Sequence, residues 1–306
     1  MFLKASFKNA SVFIQFVMLS AVIVFGIFFF EFLAALLIVF KVGVSPEALM
    51  NVQQHLSDVF NDPDLMRGMQ FLQTLVIFLF PAIICAWLFS DNYKEYLRTN
   101  QPIYLPVAVW TVISMIVAVP FLNMTYNLNQ QMVLPEALKG LETWMKETED
   151  AAERMINLML DTKNIPTIIF NFLAICLVAA ICEEFMFRGL LQTLFGRVFR
   201  NPHVLIWFIA ILFSAIHLQF YGFITRMLLG AWLGYLMYYT KTIWIPVLAH
   251  FTNNFFTVAV YYLFQNKPDM SKEIDAIGSG STLWLSAVSL ALFSFCFLQI
   301  KKALNQ

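Results

Sequence analysis

Charge is what this sequence has least of. Asp, Glu, Lys and Arg make up 12% of its 306 residues, where soluble globular chains carry about a quarter. The acidic and basic residues cancel to a net charge of zero, so no basic field points to nucleic acid. Paired cysteines are missing too. Cys85, Cys176, Cys182 and Cys296 all fall inside apolar runs and form no C-x-x-C pair. That spacing excludes a zinc knuckle and a disulfide framework and leaves four small hydrophobes. There is no H-E-x-x-H motif, internal repeat, low-complexity tract or soluble domain.

Long apolar runs are abundant. The chain is 60% hydrophobic with a mean hydropathy of +0.73. A helical membrane span needs about 20 apolar residues, and open sheets cannot satisfy their backbone in lipid. About eight stretches qualify by that rule, roughly 12–40, 69–90, 103–123, 167–195, 203–219, 222–240, 243–264 and 282–300. The first is too long for a signal-peptide core and reads as a retained span. The expected fold is an all-α, multi-pass transmembrane helical bundle. Its parts are N-terminal spans with amphipathic connections (1–165), a compact core (166–264), and a C-terminal loop with the last span (265–306).

Residues 41–68 are polar and mildly acidic. Between 124 and 165, Leu138, Leu141, Met145, Ala152 and Met155 follow a near-helical spacing. Glu136, Glu142, Glu147, Glu149, Asp150 and Glu153 take the other face. This predicts an amphipathic helix lying on the bundle or the interface, as a packed connection more readily than a lid. With eight spans both termini share a side, with Lys4, Lys8, Lys94, Arg98, Arg197, Arg200, Lys241, Lys301 and Lys302 in short segments. The positive-inside rule makes that side cytoplasmic. Gly230 and Gly234 form a G-x-x-x-G, a close-packing face.

Charged residues at membrane depth cost several kcal/mol and mark functional sites. Here they gather in the C-terminal half: Glu183, Glu184 and Arg188, then His217, then His250, Asn253 and Asn254. Glu184 and Arg188 stand in the favourable i,i+4 order for an ion pair and read as mainly structural. Glu183 is turned about 100° away and faces something else. Counted from the Lys and Arg at the span ends, Glu183, His217 and Asn254 lie about 20–25 Å up their helices and His250 about 14 Å. The four share one layer within about a turn. Glu31 reads as a protonated or interhelically bonded glutamate. Arg226 can snorkel from its span end. His55 sits in a polar loop and His203 at an interface.

A carboxylate, two imidazoles and an amide in a dry cavity suit hydrolysis. Glu183 can act as general base on water, and His217 can orient it. His250 and Asn254 can donate to an oxyanion. The same atoms allow a second scheme, in which Glu183, His217 and His250 hold a catalytic zinc with an open position. Spacing leaves both open. A third reading is not enzymatic: the same polar residues would line a proton or ion path, or a partner-binding pocket.

These residues resemble a known family. The run Cys182-Glu183-Glu184-Phe185-Met186-Phe187-Arg188-Gly189 matches the E-E-x-x-x-R motif of the CAAX-protease and bacteriocin-processing intramembrane proteases. Phe213-Ser214-Ala215-Ile216-His217 matches their F-x-x-x-H, and His250-Phe251-Thr252-Asn253-Asn254 their H-x-x-x-N/D. The three stand in the family's order over roughly 167–260, about a third of the chain. The resemblance implies an intramembrane endopeptidase acting on membrane proteins or peptides, prenylated ones among them. It implies Glu183 as base or metal ligand, completed by His217, His250 and Asn254 and supported by Glu184 and Arg188. The family is described both as metalloproteases and as metal-independent glutamate proteases, so the zinc question carries over.

Overall fold

A computed structural model of the chain describes residues 3–42 and 61–305. His55 and most of the polar 41–68 connection lie outside the described residues. The described chain is helical throughout, with no strand among its elements. Its main helices are α1 (Val12–Val42), α2 (Pro63–Phe89), α3 (Leu105–Val117), α4 (Val119–Gln130), α5 (Lys139–Leu160) and α6 (Ile165–Phe195). Then follow α7 (Pro202–Ala215), α8 (Phe223–Thr240), α9 (Trp244–Phe264), α10 (Pro268–Ala276) and α11 (Leu283–Leu304).

Local chemistry sets several helix starts. Asp62 accepts from the Asp64 and Leu65 amides ahead of α2, and Asn201 accepts from the His203 amide at 2.9 Å ahead of α7. A proline follows each cap, where its missing N–H costs nothing. Pro120 stands near the start of α4, and α3 and α4 meet at a 44° bend. A proline there removes one backbone donor and crowds the preceding turn, which accounts for the bend.

Among the described residues, four helices are long and apolar enough to cross a membrane: Val12–Phe40, Pro63–Phe89, Ile165–Phe195 and Gly280–Leu304. The bent α3–α4 pair makes up to 5. The remaining expected spans correspond to α7, α8 and α9. Of these α7 is only 14 residues long, while Arg226, His250, Asn253 and Asn254 dilute the apolarity of α8 and α9. Helix α6 passes the same test although it carries Glu183, Glu184 and Arg188.

Helix α6 runs through the middle of the bundle. One core joins it to α1, α2, α7 and α9 through Leu19, Ala86, Phe187, Leu190, Ile209 and Val247. A second joins α3, α8, α9 and α11 through Val107, Leu233, Ile245, Ala249 and Ile300. The outward phenylalanines of α1, such as Phe25 and Phe28 at 71% exposure each, form a surface suited to lipid. Glu31 is also exposed on α1 and joins none of the site residues.

The G-x-x-x-G of α8 does more than pack. A Cβ on Gly230 would stand 3.0 Å from Phe213 Cδ1 and 3.3 Å from Ala210 Cα; one on Gly234 would stand 2.9 Å from Ile206 Cγ2. The bare backbone also exposes two carbonyls one turn apart. Arg188 Nη2 donates to Gly230 O at 2.8 Å, and Gln192 Nε2 to Gly234 O at 3.3 Å. Gly230→Ala is expected to cost about 1–3 kcal/mol through overpacking. Gly140→Ala on α5, with nothing within 4 Å of the added atom, is expected to be neutral or slightly stabilising. Unfolding of both variants in detergent checks the contrast.

Helix α5 carries the predicted amphipathic pattern and forms a wall. Glu153, Ile156, Asn157 and Leu160 line a cavity of about 810 Å³ bounded also by α3, α4, α8, α9 and α10. Trp144 meets Phe220 at 5.2 Å between ring centroids, and Glu149 Oε2 accepts from the Tyr221 amide at 3.1 Å. Burial pushes the Glu149 carboxyl above its ordinary value, against the opposing pull of that amide and of Arg226.

Candidate active site

Glu183 and Glu184 come from the middle of α6, between two stretches wound as wide π-turns, Phe172–Val178 and Phe185–Leu191. Such turns recur at functional positions because they loosen the backbone ladder. Glu184 points into the protein. Its Oε1 accepts from Arg188 Nη1 at 2.9 Å, and both side chains are fully buried. Arg188 also lies over the Phe213 ring, 4.6 Å from its centroid.

The same Glu184 oxygen holds His250, whose Nδ1 lies 2.8 Å away. A carboxylate can only accept, so Nδ1 carries the proton and Nε2 faces the other way. The ion pair expected to be mainly structural is thus also the orienting group of an imidazole. Sequence reading missed this link, although a buried histidine always needs a partner for its second nitrogen.

His217 is fixed by a helix end. The span expected to run to 219 stops at Ala215, and Leu218 adopts φ 53. The last carbonyls of a helix lack intrahelical donors. His217 Nδ1 donates to one of them, Phe213 O, at 2.7 Å. Its Nε2 therefore also faces the cleft. The phenylalanine of F-x-x-x-H acts twice here, through its carbonyl and through a ring 5.1 Å from His217 and 5.9 Å from His250.

Both Nε2 atoms face one carboxylate oxygen. Glu183 Oε2 stands 3.9 Å from His217 Nε2 and 3.9 Å from His250 Nε2. It is buried and has no hydrogen-bond partner. His217, with 26% of its side chain exposed, is the most open of the three. Asn254 is bound elsewhere: its Nδ2 donates to Ile175 O, in the first π-wound stretch of α6, at 3.1 Å. That leaves the second amide hydrogen of Asn254 unassigned. Its neighbour Asn253 donates to Asn254 Oδ1 at 3.3 Å and lines the large cavity.

Arg226 also lines that cavity. Its guanidinium is held by Gln219 through Oε1 at 2.6 Å and the backbone carbonyl at 3.3 Å. No carboxylate among the described residues lies within ion-pair distance of it. Snorkelling was the sequence expectation; the structure turns Arg226 inward. His203 bonds Tyr235 at 2.9 Å near the start of α7, apart from the site.

The donor set of Glu183, His217 and His250 has the chemistry of a zinc site. Its spacing does not fit one. A tetrahedral zinc with bonds of about 2.0–2.2 Å places its ligands about 3.3–3.6 Å apart, shorter than the 3.9 Å found for both imidazoles. Among the described residues no group of three His, Cys, Asp or Glu side chains is arranged to hold a metal ion. A water molecule suits the gap better, since it can donate to two acceptors at this spacing. Purified protein is expected to stay active after chelation and to hold well under one zinc per chain. One bound zinc whose removal ends cleavage would overturn that reading.

The fold and this cluster together define an integral membrane protein with an acid–imidazole centre enclosed by its helices. Residues 165–256 match the family model described as type II CAAX prenyl endopeptidase Rce1-like, so this segment is an Rce1-like domain of a protease family. The match takes in all three motifs and covers about a third of the chain. No curated protein and no solved structure matches the chain.

Proposed function

We propose that this protein is an intramembrane endopeptidase that cleaves membrane-associated proteins or peptides, prenylated ones among them. The observation that carries the reading is Glu183 Oε2, a buried oxygen with no hydrogen bond that faces two inward-turned imidazole nitrogens. A structural carboxylate oxygen is ordinarily satisfied; one that faces two imidazole nitrogens is placed to accept from a water held between them.

Charge balance assigns the histidines. Glu183 and Glu184 carry two negative charges against one on Arg188. One further proton neutralises the cluster, which suits burial. On His250 it gives an imidazolium whose Nδ1–H stays on Glu184 and whose Nε2–H points into the cleft. His217 stays neutral, its Nε2 lone pair free. Water donates to Glu183 Oε2 and His217 Nε2, leaving its own lone pair for the scissile carbonyl. Glu183 takes the water proton as the C–O bond forms. His250 Nε2–H, with the spare Asn254 amide hydrogen, receives the developing oxyanion. When the C–N bond breaks, Glu183 passes its proton to the leaving amine. The products are a carboxylic acid and an amine, and transfer of the second water proton from one to the other gives the carboxylate and the ammonium.

The cavity next to Asn253 suits the substrate chain, with apolar walls from Met115, Leu122, Ile156 and Phe256 and two cations, Arg226 and Lys272. Both termini are proposed to be cytoplasmic. The deciding experiment compares protein termini in cells carrying wild-type protein or Glu183→Ala. New termini that appear only with wild type identify the substrate and the bond. Identical terminal profiles would sink the assignment.

A further inference from the structure

A second concave site lies at the end of the bundle expected to face the cytoplasm. It is a cavity of about 480 Å³ between the 97–101 loop, the α6–α7 turn and the α8–α9 turn. Its thirteen lining residues include five cationic side chains, Arg98, Arg188, Arg197, Arg200 and Lys241, and no acidic one. Two of the five are already committed. Arg188 belongs to Glu184, and Arg197 donates to Gln15 Oε1 at 2.6 Å and Ala10 O at 3.2 Å. The other three have no carboxylate or hydrogen-bond partner among the described residues.

Positive charge at this end is ordinary for a membrane protein. Its arrangement round one hollow, with no counter-charge, is not. Lys241 is held there by a left-handed backbone, φ 58, with Nζ 4.4 Å from the Tyr238 ring centroid. Burial, and then the neighbouring Arg98, lower its proton affinity. Pro202 of the first turn of α7 is also in the wall, so the positive end of that helix dipole adds to the field.

We propose that this hollow binds a phosphate group, carried by an anionic lipid headgroup. Guanidinium forks suit phosphate oxygens, and basic pockets between spans at the cytoplasmic side suit such headgroups. The lipid source follows from the adjoining surface. Helix α7 leaves Val204, Trp207 and Ile211 bare beside the pocket, and Val198 is exposed at its rim. An acyl chain can lie along that face while its phosphate sits among the cations.

The test uses the full chain in neutral-detergent micelles, with its unfolding temperature followed as lipid is added. Phosphatidylglycerol is expected to raise the midpoint, while phosphatidylcholine and inorganic phosphate at the same concentration leave it unchanged. The triple variant Arg98→Gln, Arg200→Gln, Lys241→Gln is expected to weaken the phosphatidylglycerol effect about 100-fold in concentration, as three interfacial cations suggest. Removing three charges elsewhere, Lys4→Gln, Lys94→Gln and Lys302→Gln, should leave it intact. The single change Arg200→Gln serves if the triple variant fails to fold, and is expected to weaken the effect at least severalfold. A shift that survives the pocket variants, or the absence of any shift with wild type, overturns the site. A shift reproduced by inorganic phosphate overturns the lipid source.

Discussion

Replacing Glu183 with Gln or Ala is expected to lower cleavage by about two to four orders of magnitude, the range for loss of a general base, without loss of stability. The two halves of this prediction rest on one atom. Glu183 Oε2 is buried and makes no hydrogen bond, so removing it breaks no contact. Deleting Glu183 lets His250 give up its extra proton, so one buried charge of each sign is lost together with its desolvation cost, and the variant should unfold at the same temperature as wild type or higher. A merely structural glutamate predicts the reverse, with intact cleavage and a less stable protein. Reporter cleavage and thermal unfolding on one preparation separate the two. Full proteolytic output from Glu183→Ala would end the enzyme reading, whatever its stability.

The convergence of Glu183, His217 and His250 was legible before any coordinates, because charge in an apolar run is expensive and must be compensated. Helical rise alone placed these residues near a common depth, and the structure brings the carboxylate within 3.9 Å of both imidazoles. The long spans were legible for the same reason: 167–195 was expected, and Ile165–Phe195 is found. What the pattern hid depends on where helices stop and how they face each other. That α7 ends at Ala215, freeing Phe213 O for His217, is not written in a periodicity that continues to 219. The two π-wound stretches of α6 leave no signature in hydropathy, yet Asn254 binds the first and Arg188 rises from the second. Arg226 looked like a span-end cation because sequence shows its depth and not its direction. The G-x-x-x-G was a weak signal until the partners of its carbonyls, Arg188 and Gln192, were visible.

The second large effect is expected at the Glu184–Arg188 pair, where stability and activity should come apart in a way no single variant shows. Glu184 Oε1 serves two donors, Arg188 Nη1 at 2.9 Å and His250 Nδ1 at 2.8 Å. Glu184→Ala leaves the Arg188 guanidinium fully buried with Gly230 O and the Phe187 and Phe213 rings to answer it. Stranding a buried charge costs about 3–5 kcal/mol, so this variant should unfold readily and cleave nothing. Arg188→Met should also be destabilised, since it leaves Glu183 and Glu184 with only His250 to balance them. Combining Glu184→Leu with Arg188→Met removes both charges and fills the space with apolar atoms of similar size. Such replacements are often neutral, and the double variant should recover most of the lost stability. It should still cleave poorly, because His250 has lost the acceptor that turns its Nε2 toward Glu183. Chemical unfolding in detergent and reporter cleavage on the two single variants and the double variant decide the matter. If the double variant regains activity along with stability, Glu184 is only a counter-ion and the orientation of His250 has another source.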